Sequence, residues 1–307
     1  MLWEEKEQMF AVTGITGQVG GETARRLMDV GRPVRAVVRD LKRGAPWAKQ
    51  GCEVAVSELG DAAALAAAFS GTEGVFILLP PNFDPSPGFT EARASISAIK
   101  SALLQSRPTR VVALSTIGAQ VARTNLLAQL GMLERELSSL PMPVAFLRAA
   151  WFLENSSLDV IPARDTGIIQ SYLQPLDKPV PMVATGDVGQ VAAELLQQEW
   201  QGRRVVELEG PHRVTPRELS AVFFKVLGQP VKVEAIPRSS WEERFRAQGM
   251  KNPLPRMQML DGFNEGWIEF EDGEAGSIKG VIEPETVIRF LVQRQIGKDQ
   301  RGRDHSS

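Results

Sequence analysis

Residues 12–20, with the sequence VTGITGQVG, constrain the fold of this chain more than any other segment. They follow a short apolar run and precede a helical pattern over residues 19–30, which predicts a strand, a tight turn and a helix. Three glycines suit a backbone that bends sharply, approaches a pyrophosphate closely and lets the helix pack tightly on the strand. The helix start would offer unpaired N–H groups and a partial positive charge to the phosphates. A glycine-rich turn without a ligand is the alternative, and the position between a strand and a helix disfavours it.

Strands and helices alternate through the first half of the chain. Apolar runs predict strands at residues 9–12, 33–39, 52–56, 75–79, 110–115 and 144–148. An alanine-rich helix is predicted after Asp61, a good N-cap residue. This alternation predicts an α/β fold, a doubly wound parallel (Rossmann) sheet with a smaller C-terminal α/β substrate lobe.

The pattern becomes less regular after residue 150. We predict a short helix at 151–158, an irregular segment at 165–181 and a helix that begins with the capping box Thr215-Pro216-Arg217-Glu218. The predicted organisation is an NAD(P)-binding domain at 1–150, a substrate lobe with returns to that domain at 151–296, and a disordered tail at 297–307.

Composition and charge exclude several classes of protein. A formal net charge of -2 over 307 residues disfavours an electrostatic nucleic-acid binder. The single cysteine, Cys52, excludes an internal disulfide, and His212 and His305 lack partners at metal-ligand spacing. No apolar run approaches the roughly 20 residues that span a bilayer, and residues 1–8 form a charged extension without a signal-peptide core. We therefore expect a soluble, cytoplasmic protein that binds neither a metal, a membrane nor nucleic acid.

Arg39 lies at the end of the second predicted strand, where a doubly wound fold places the adenosine ribose of a bound dinucleotide. An acidic residue at this point binds the 2′-hydroxyl of NAD, whereas an arginine accommodates the 2′-phosphate of NADP. Asp40 is adjacent, and Arg35, Lys42 and Arg43 are candidates to assist. A solvated basic surface is the alternative interpretation.

Three segments together resemble the NmrA-like family, whose members are atypical short-chain dehydrogenases/reductases. They are residues 13–20 (TGITGQVG), 34–40 (VRAVVRD) and 147–155 (LRAAWFLEN). The resemblance covers roughly residues 9–290 and is strongest in the first 155. Family members include NADPH-dependent quinone reductases and proteins that bind NADP as redox sensors without turnover. The resemblance implies an extended Rossmann domain, a small C-terminal lobe and a cleft between them.

The resemblance also implies which residues would hold NADP(H). The pyrophosphate would lie on Gly14, Thr16, Gly17, Gln18, Val19 and Gly20. Arg39 would take the 2′-phosphate, and Glu58 and Leu59 would flank the adenine. The ribose and nicotinamide side would be lined by Leu79, Pro80 and Pro81, with Ser115, Thr116 and Ile117 at the end of the fifth strand. The wall beside the nicotinamide would be Arg148, Ala149, Ala150, Trp151 and Phe152. Strand-end hydrogen bonding explains Ser115 and Thr116 equally well.

One departure from the superfamily concerns the proton donor. Short-chain dehydrogenases that act on alcohols use a Tyr-x-x-x-Lys pair, in which the lysine lowers the pKa of the tyrosine. Tyr172 is the only tyrosine and has no lysine four residues on, and the predicted helix 126–140 has none at Leu130 or Gly131, where related reductases carry one. Alcohol dehydrogenation, isoflavone-type reduction and nucleotide-sugar epimerisation are therefore disfavoured. Tyr172 and Ser115 stay candidate catalytic residues, although a packing role suits Tyr172 better.

Quinone reduction is compatible with this loss. A quinone accepts hydride readily because the hydroquinone anion is delocalised, so proximity to the nicotinamide suffices and water supplies the proton. The first hypothesis is an NADPH-dependent reductase of quinones or similar flat electrophiles. The second is an NADP-binding redox sensor without turnover, which would bind a protein partner. Five aromatic residues are candidates to cover a flat substrate, but such residues are more often core: Trp241, Phe245, Phe263, Trp267 and Phe270.

Overall fold

A computed structural model describes residues 8–304 of the chain. These residues divide into two compact units. The first comprises the described residues up to Ala149 together with Val188–Glu207, and the second comprises Ala150–Asp187 and the described residues from Leu208 onwards. The assignment of the cofactor to one unit and of the substrate to the other stays a prediction.

The twelve strands and twelve helices of the described residues alternate along most of the chain. The strands are β1 (Phe10–Thr13), β2 (Val34–Val38), β3 (Glu53–Val56), β4 (Gly74–Ile77), β5 (Arg110–Thr116), β6 (Val144–Ala149), β7 (Trp151–Phe152), β8 (Ile168–Ser171), β9 (Met182–Val183), β10 (Arg203–Glu209), β11 (Lys232–Ala235) and β12 (Ile278–Lys279). The helices are α1 (Gln18–Asp29), α2 (Leu41–Ala48), α3 (Ala62–Phe69), α4 (Thr90–Ser106), α5 (Ala128–Leu137), α6 (Val160–Asp165), α7 (Thr185–Gln197), α8 (Pro216–Leu227), α9 (Trp241–Ala247), α10 (Leu254–Glu265), α11 (Gly273–Gly276) and α12 (Pro284–Asp304).

Eight strands form one parallel sheet in the order β12-β10-β6-β5-β4-β1-β2-β3. The order turns back at β1, with β2 on one side and β4 on the other, as in a doubly wound fold. Strands β1 and β4 are buried along their whole length, which explains why Thr13 is the one polar residue in them. The predicted α/β fold with a Rossmann-type sheet is confirmed.

Local sequence signals place several helix ends correctly. Asp61 accepts a hydrogen bond from Ala64 N at 3.0 Å and caps α3. Thr215 and Glu218 form the predicted capping box at the start of α8, with Pro216 in its first position. No helix among the described residues is both long enough and apolar enough to cross a membrane.

Several segments differ from the sequence-based prediction. Helix α2, with Pro46 inside it, and the two-residue strand β12 were not predicted. The helix expected at 151–158 is the strand β7 followed by a 3₁₀ turn, because Trp151 and Phe152 pair with β9. Strand β8 lies in the segment expected to be irregular and pairs with β11. Both short strands depend on partners distant in the chain, which local pattern does not reveal.

The C-terminal region also differs from the prediction. Residues 297–304, expected to be disordered, form the last turns of α12, while residues 305–307 lie outside the described residues. Helix α12 packs on α8, and Arg164 Nη1 of α6 donates to Asp299 Oδ2 at 2.6 Å. These tertiary contacts extend a helix whose end is polar in sequence. Of the extension expected at residues 1–8, residues 1–7 lie outside the described residues.

Asp159, which precedes α6 in the second unit, makes the stability of the protein depend on pH. Burial raises the pKa of its carboxyl group from 3.8 to about 7. Between about pH 4 and 7 the folded state therefore holds a proton that the unfolded state has released, so stability falls as the pH rises through this window. We expect Asp159→Asn to increase the free energy of unfolding at pH 8 by about 1–2 kcal/mol more than at pH 5.

Urea unfolding of both proteins at the two pH values measures this difference. Asp165→Asn is the matched control, because the hydrogen bond from Arg164 lowers the pKa of Asp165 and the ionised form is the stabilised one. This variant should lose about the same stability at both pH values, because both lie above the ordinary pKa of an aspartate and the contribution of Asp165 is lost only at lower pH. An equal effect of Asp159→Asn at both pH values would contradict the assignment.

Candidate functional site

The glycine turn between β1 and α1 is closed by its own backbone. Gly14 has a φ of +65°, a conformation that favours glycine, and Gly17 N donates to Gly14 O at 2.9 Å. A Cβ atom on Gly20 would lie 2.5 Å from Gly14 O, nearer than any side chain can approach. The first turn of α1 therefore rests directly on the carbonyl of Gly14, as the glycine spacing predicts.

The start of α1 is exposed on the side that faces away from this packing. Gly17 is the N-cap residue with an extended backbone, and its position carries no side-chain cap. Thr16, Gly17 and Gln18 are exposed, whereas Val19 and Gly20 are buried. A helix N-terminus without a side-chain cap is suited to bind an anion through its backbone N–H groups. Of the residues predicted to contact the pyrophosphate, Thr16 and Gln18 have exposed side chains, whereas the glycines and the buried Val19 can contribute backbone only.

Thr13 ties this turn to the neighbouring strand, and sequence reasoning assigned it no such role. Its Oγ1 donates to Phe76 O at 3.0 Å and accepts from Leu78 N at 2.8 Å. The side chain of Leu78 in turn lies 3.1 Å from the position of a Cβ on Gly14. The glycine turn and the segment after β4 therefore hold each other in place. A threonine before the first glycine of the motif was the only signal for this contact.

Arg39 and Asp40 have separate roles at the end of β2. Asp40 caps α2, accepting from Arg43 N at 2.9 Å, and pairs with Arg43 Nε at 3.3 Å. Arg35 Nε donates to Glu53 Oε1 at 2.8 Å, and its Nη1 donates to two backbone carbonyls. Arg39 and Lys42 are exposed, and neither makes a side-chain hydrogen bond or ion pair within residues 8–304. Two unneutralised cations thus lie where a doubly wound fold holds the adenosine ribose.

The other residues predicted to line the cofactor in the first unit follow the ends of β3 and β4. Glu58 is exposed, and Leu59 is half-buried against the core beneath it. Leu79 also packs on that core, and Pro80 and Pro81 are exposed. These positions lie at the carboxyl edge of the parallel sheet, where open α/β sheets bind ligands. Their contact with a cofactor stays a prediction.

Ser115 belongs to a buried ionic network that sequence reasoning missed. Its hydroxyl donates to Glu134 Oε1 of α5 at 2.5 Å. Arg148 donates to both oxygens of Glu134, at 2.9 and 2.8 Å, and its Nη1 donates to Glu207 Oε1 at 3.0 Å. We call these four residues the Arg148 network. Because Glu134 accepts its hydrogen bond, the Ser115 hydroxyl is oriented towards α5. This orientation favours a structural over a catalytic role for Ser115.

Helix α5 also closes the place where a catalytic lysine would be expected. A Cβ on Gly131 would lie 2.5 Å from Ala119 O, so this position has no space for a side chain. Leu130 is half-buried and packs on the core of the first unit. Gln129 donates to Asn82 O at 3.2 Å and to Leu126 O at 3.0 Å. The packing of this helix therefore excludes a lysine at position 131.

In the second unit, Trp151 and Phe152 form β7 and are half-buried. The ring of Trp151 meets that of Phe263 edge-on at 5.3 Å. Just beyond, Glu154 accepts hydrogen bonds from Thr185 N at 2.8 Å and Thr185 Oγ1 at 2.6 Å. Burial raises the pKa of this carboxyl group, and its Oε2 is a buried atom with no hydrogen-bond partner among residues 8–304. Glu154 thereby fastens the segment after β7 to the start of α7.

Tyr172 lies among aromatic side chains of the second unit. Its ring stacks on Phe245 at 5.0 Å and meets Trp241 edge-on at 5.7 Å. The prediction that the aromatic residues belong to the core is not confirmed for Trp267, which is half-buried. It is confirmed for the four that are buried, which are Trp241, Phe245, Phe263 and Phe270. These contacts favour the packing role for Tyr172, and a catalytic role for it stays a prediction.

The family model described as the NmrA-like family matches residues 6–265 of the chain. A curated relative from Streptomyces griseus, "(4-alkanoyl-5-oxo-2,5-dihydrofuran-3-yl)methyl phosphate reductase", is 29% identical over 74% of this chain and 77% of its own length. Quinone oxidoreductase 2 from Escherichia coli is 24% identical, with 81% of this chain and 85% of the relative covered.

Solved structures with the same fold include the triphenylmethane reductase of Citrobacter sp. in complex with NADP(H). Its TM-score is 0.76 at 20% identity, over 92% of this chain and 99% of that one. At this identity the likeness shows the fold.

Proposed function

Because this chain belongs to the NmrA-like family, we propose that it is an NADPH-dependent reductase of quinones or similar flat electrophiles, acting by direct hydride transfer. Two curated relatives that it matches over most of their length are a reductase and a quinone oxidoreductase. NADPH would supply the hydride, and the residues of this chain would bind it, orient it and exclude competing reactions.

The observation that carries the choice of cofactor is the state of Arg39. The acid next to it, Asp40, is already used to cap α2, whereas Arg39 has no side-chain hydrogen bond or ion pair within the described part of the chain. An arginine at this place suits the 2′-phosphate of NADP. The uncapped start of α1 and the closed glycine turn fit the pyrophosphate of the same molecule.

The substrate class is inferred from the groups that α5 and β5 do not offer. Gly131 leaves no space for a lysine, and the Ser115 hydroxyl is held by Glu134. Substrates whose product anion is delocalised need no enzyme acid in the hydride-transfer step, and water then supplies the proton. Quinones and related flat conjugated electrophiles have this property, whereas ketones of ordinary alcohols do not.

Anaerobic oxidation of NADPH, followed by absorbance at saturating cofactor, tests the proposal. We expect oxidation only when a small quinone is added and a much slower rate with aliphatic ketones. The control is the same panel with the Arg39→Glu variant, which should need far more NADPH for the same rate. Tight binding of NADPH without oxidation by any acceptor would contradict the reductase and favour an NADP-binding sensor with a protein partner.

A further inference from the structure

The Arg148 network connects three strands of the sheet to one helix. Ser115 belongs to β5, Arg148 to β6, Glu207 to β10 and Glu134 to α5. All four are buried, and Ser115 and Arg148 are only 3% and 4% exposed. Each hydrogen bond described above lies between 2.5 and 3.0 Å. Arg148 bonds β6 directly to Glu207 of β10 and, through Glu134, to Ser115 of β5, so these strands cannot shift relative to each other without breaking these contacts.

The network lies at the carboxyl edge of the sheet. Ser115 and Arg148 are partners in the β5–β6 register, and the next pair, Thr116 and Ala149, is the last before both strands leave the sheet. Ile117 N then donates to Ala149 O at 2.9 Å. Ser115 and Arg148 are therefore the first residues of the two stretches, 115–117 and 148–152, predicted to lie on the nicotinamide side of the site.

Stability alone is a weak reason for such an array. Two carboxylates and one guanidinium lose their hydration when buried, and well-packed apolar residues often stabilise a core as well or better. The array does restrict geometry, because a planar guanidinium bonds two carboxylates only in a fixed orientation. A lysine would keep the charge and lose this two-sided geometry.

We propose that Arg148 is a positioning residue for hydride transfer. Held by Glu207 and by Glu134, which also accepts from Ser115 of β5, it sets the relative position of the ends of β5 and β6, and through them the nicotinamide. The inference rests on the proposed reductase function, since it assigns these strand ends to the nicotinamide side of the site. It makes no use of proton transfer by Ser115.

A second buried arginine provides the matched control. Arg110, at the start of β5, is 7% exposed, pairs with Glu73 Oε1 at 2.6 Å and donates to Leu196 O at 2.9 Å. Arg110 and Arg148 are thus both buried arginines bonded to carboxylates in the same sheet. Arg110 lies at the amino end of its strand and Arg148 near the carboxyl end of its strand. Only Arg148 is next to the predicted site. Arg148→Lys and Arg110→Lys should both lower the melting temperature.

The experiment compares the two lysine variants in three measurements: the Kd for NADPH, the kcat with a small quinone, and the emission spectrum of the bound reduced nicotinamide. We expect Arg148→Lys to lower kcat by about 10- to 100-fold, since a misplacement of about 1 Å costs on the order of 100-fold. Its Kd and KM for NADPH should stay within about threefold of the parent values, because the phosphate contacts are made elsewhere. The nicotinamide emission should shift. Arg110→Lys should change none of the three.

Glu134→Gln repeats the test with an isosteric change, should Arg148→Lys not fold. It keeps an oxygen acceptor but loses one charge and one acceptor for Arg148, so we expect a smaller fall in kcat in the same direction. Equal kcat values per folded molecule for Arg148→Lys and Arg110→Lys would overturn the proposal. A loss of NADPH affinity at unchanged kcat would also overturn it.

The emission measurement separates this proposal from the proposed function. If the parent protein binds NADPH but reduces no acceptor, the reductase assignment fails, while the spectrum still reports whether Arg148 positions the nicotinamide. An unchanged spectrum in Arg148→Lys would then refute the positioning role. If the parent protein does not bind NADPH, both proposals are wrong.

Discussion

Arg39→Glu is expected to weaken NADPH binding by about 100-fold and to change NADH binding by less than about threefold. Arg39 is exposed and forms no ion pair within residues 8–304, so removing it breaks no interaction of the protein itself. A charge-assisted hydrogen bond to phosphate contributes about 1.5–3 kcal/mol, and 1.4 kcal/mol corresponds to tenfold in affinity. Repulsion between the new carboxylate and the 2′-phosphate adds to the loss, whereas NADH has a hydroxyl group there.

Titration of the protein with each cofactor, followed by nicotinamide fluorescence, measures both constants. Arg43→Glu is the control, because Arg43 lies four residues on but is paired with Asp40 at 3.3 Å. This variant should reduce NADPH affinity only modestly, since its charge is already partly neutralised and solvent screens it. Equal losses for NADPH and NADH in Arg39→Glu would contradict the role assigned to Arg39.

Gly20→Ala is expected to abolish measurable cofactor binding and to lower the free energy of unfolding by about 3 kcal/mol. The new Cβ would lie 2.5 Å from Gly14 O, 2.6 Å from Gly14 C and 2.9 Å from Ile15 N. All three are backbone atoms, so relief of the clash requires α1 to move away from the glycine turn. That movement displaces the N–H groups at the helix start from the turn that would receive the pyrophosphate.

Chemical unfolding and NADPH titration of this variant measure the two effects. Gly60→Ala is the matched control, because a Cβ on Gly60 meets no atom within 4 Å and its φ does not lie in the left-handed region. Its stability should stay within about 0.5 kcal/mol of the parent value. A Gly20→Ala protein that keeps normal stability and normal NADPH affinity would show that α1 does not depend on close contact with Gly14.

Much of the first unit could be predicted from local pattern. Residues 12–20 predicted the strand, turn and helix because the requirement for these glycines arises within the same nine residues. Gly14 has a positive φ, and a Cβ on Gly17 or Gly20 would approach Gly14 O. The strand β4 and residues 111–114 of β5 are apolar runs, and Asp61 is a cap that acts within three residues. Signals of this kind depend on neighbours in sequence, so they can be recognised without knowledge of the fold.

Elements that need a distant partner were missed or assigned wrongly. Strand β7 was predicted as helix because its pairing with β9 spans some thirty residues and leaves no local trace. Helix α2 was missed, since Gly44 and Pro46 both disfavour helix interiors; Gly44 is buried, and a Cβ there would lie 2.5 Å from Val54. The last turns of α12 are polar in sequence, and Asp299 within them is bonded to Arg164 of α6.

The sequence by itself determined the parallel α/β fold, the glycine turn at the start of α1 and the basic residue at the end of β2. Each rests on periodicity or on the backbone demands of a few adjacent residues. Only the tertiary structure decided which polar side chains are already bonded to other groups of the protein. Asp40 caps a helix, Ser115 donates a hydrogen bond to Glu134, and Arg148 binds two carboxylates from elements far apart in the chain. The physical reason is that a side chain in a buried network is defined by partners that the fold brings together, and spacing along the chain does not record them.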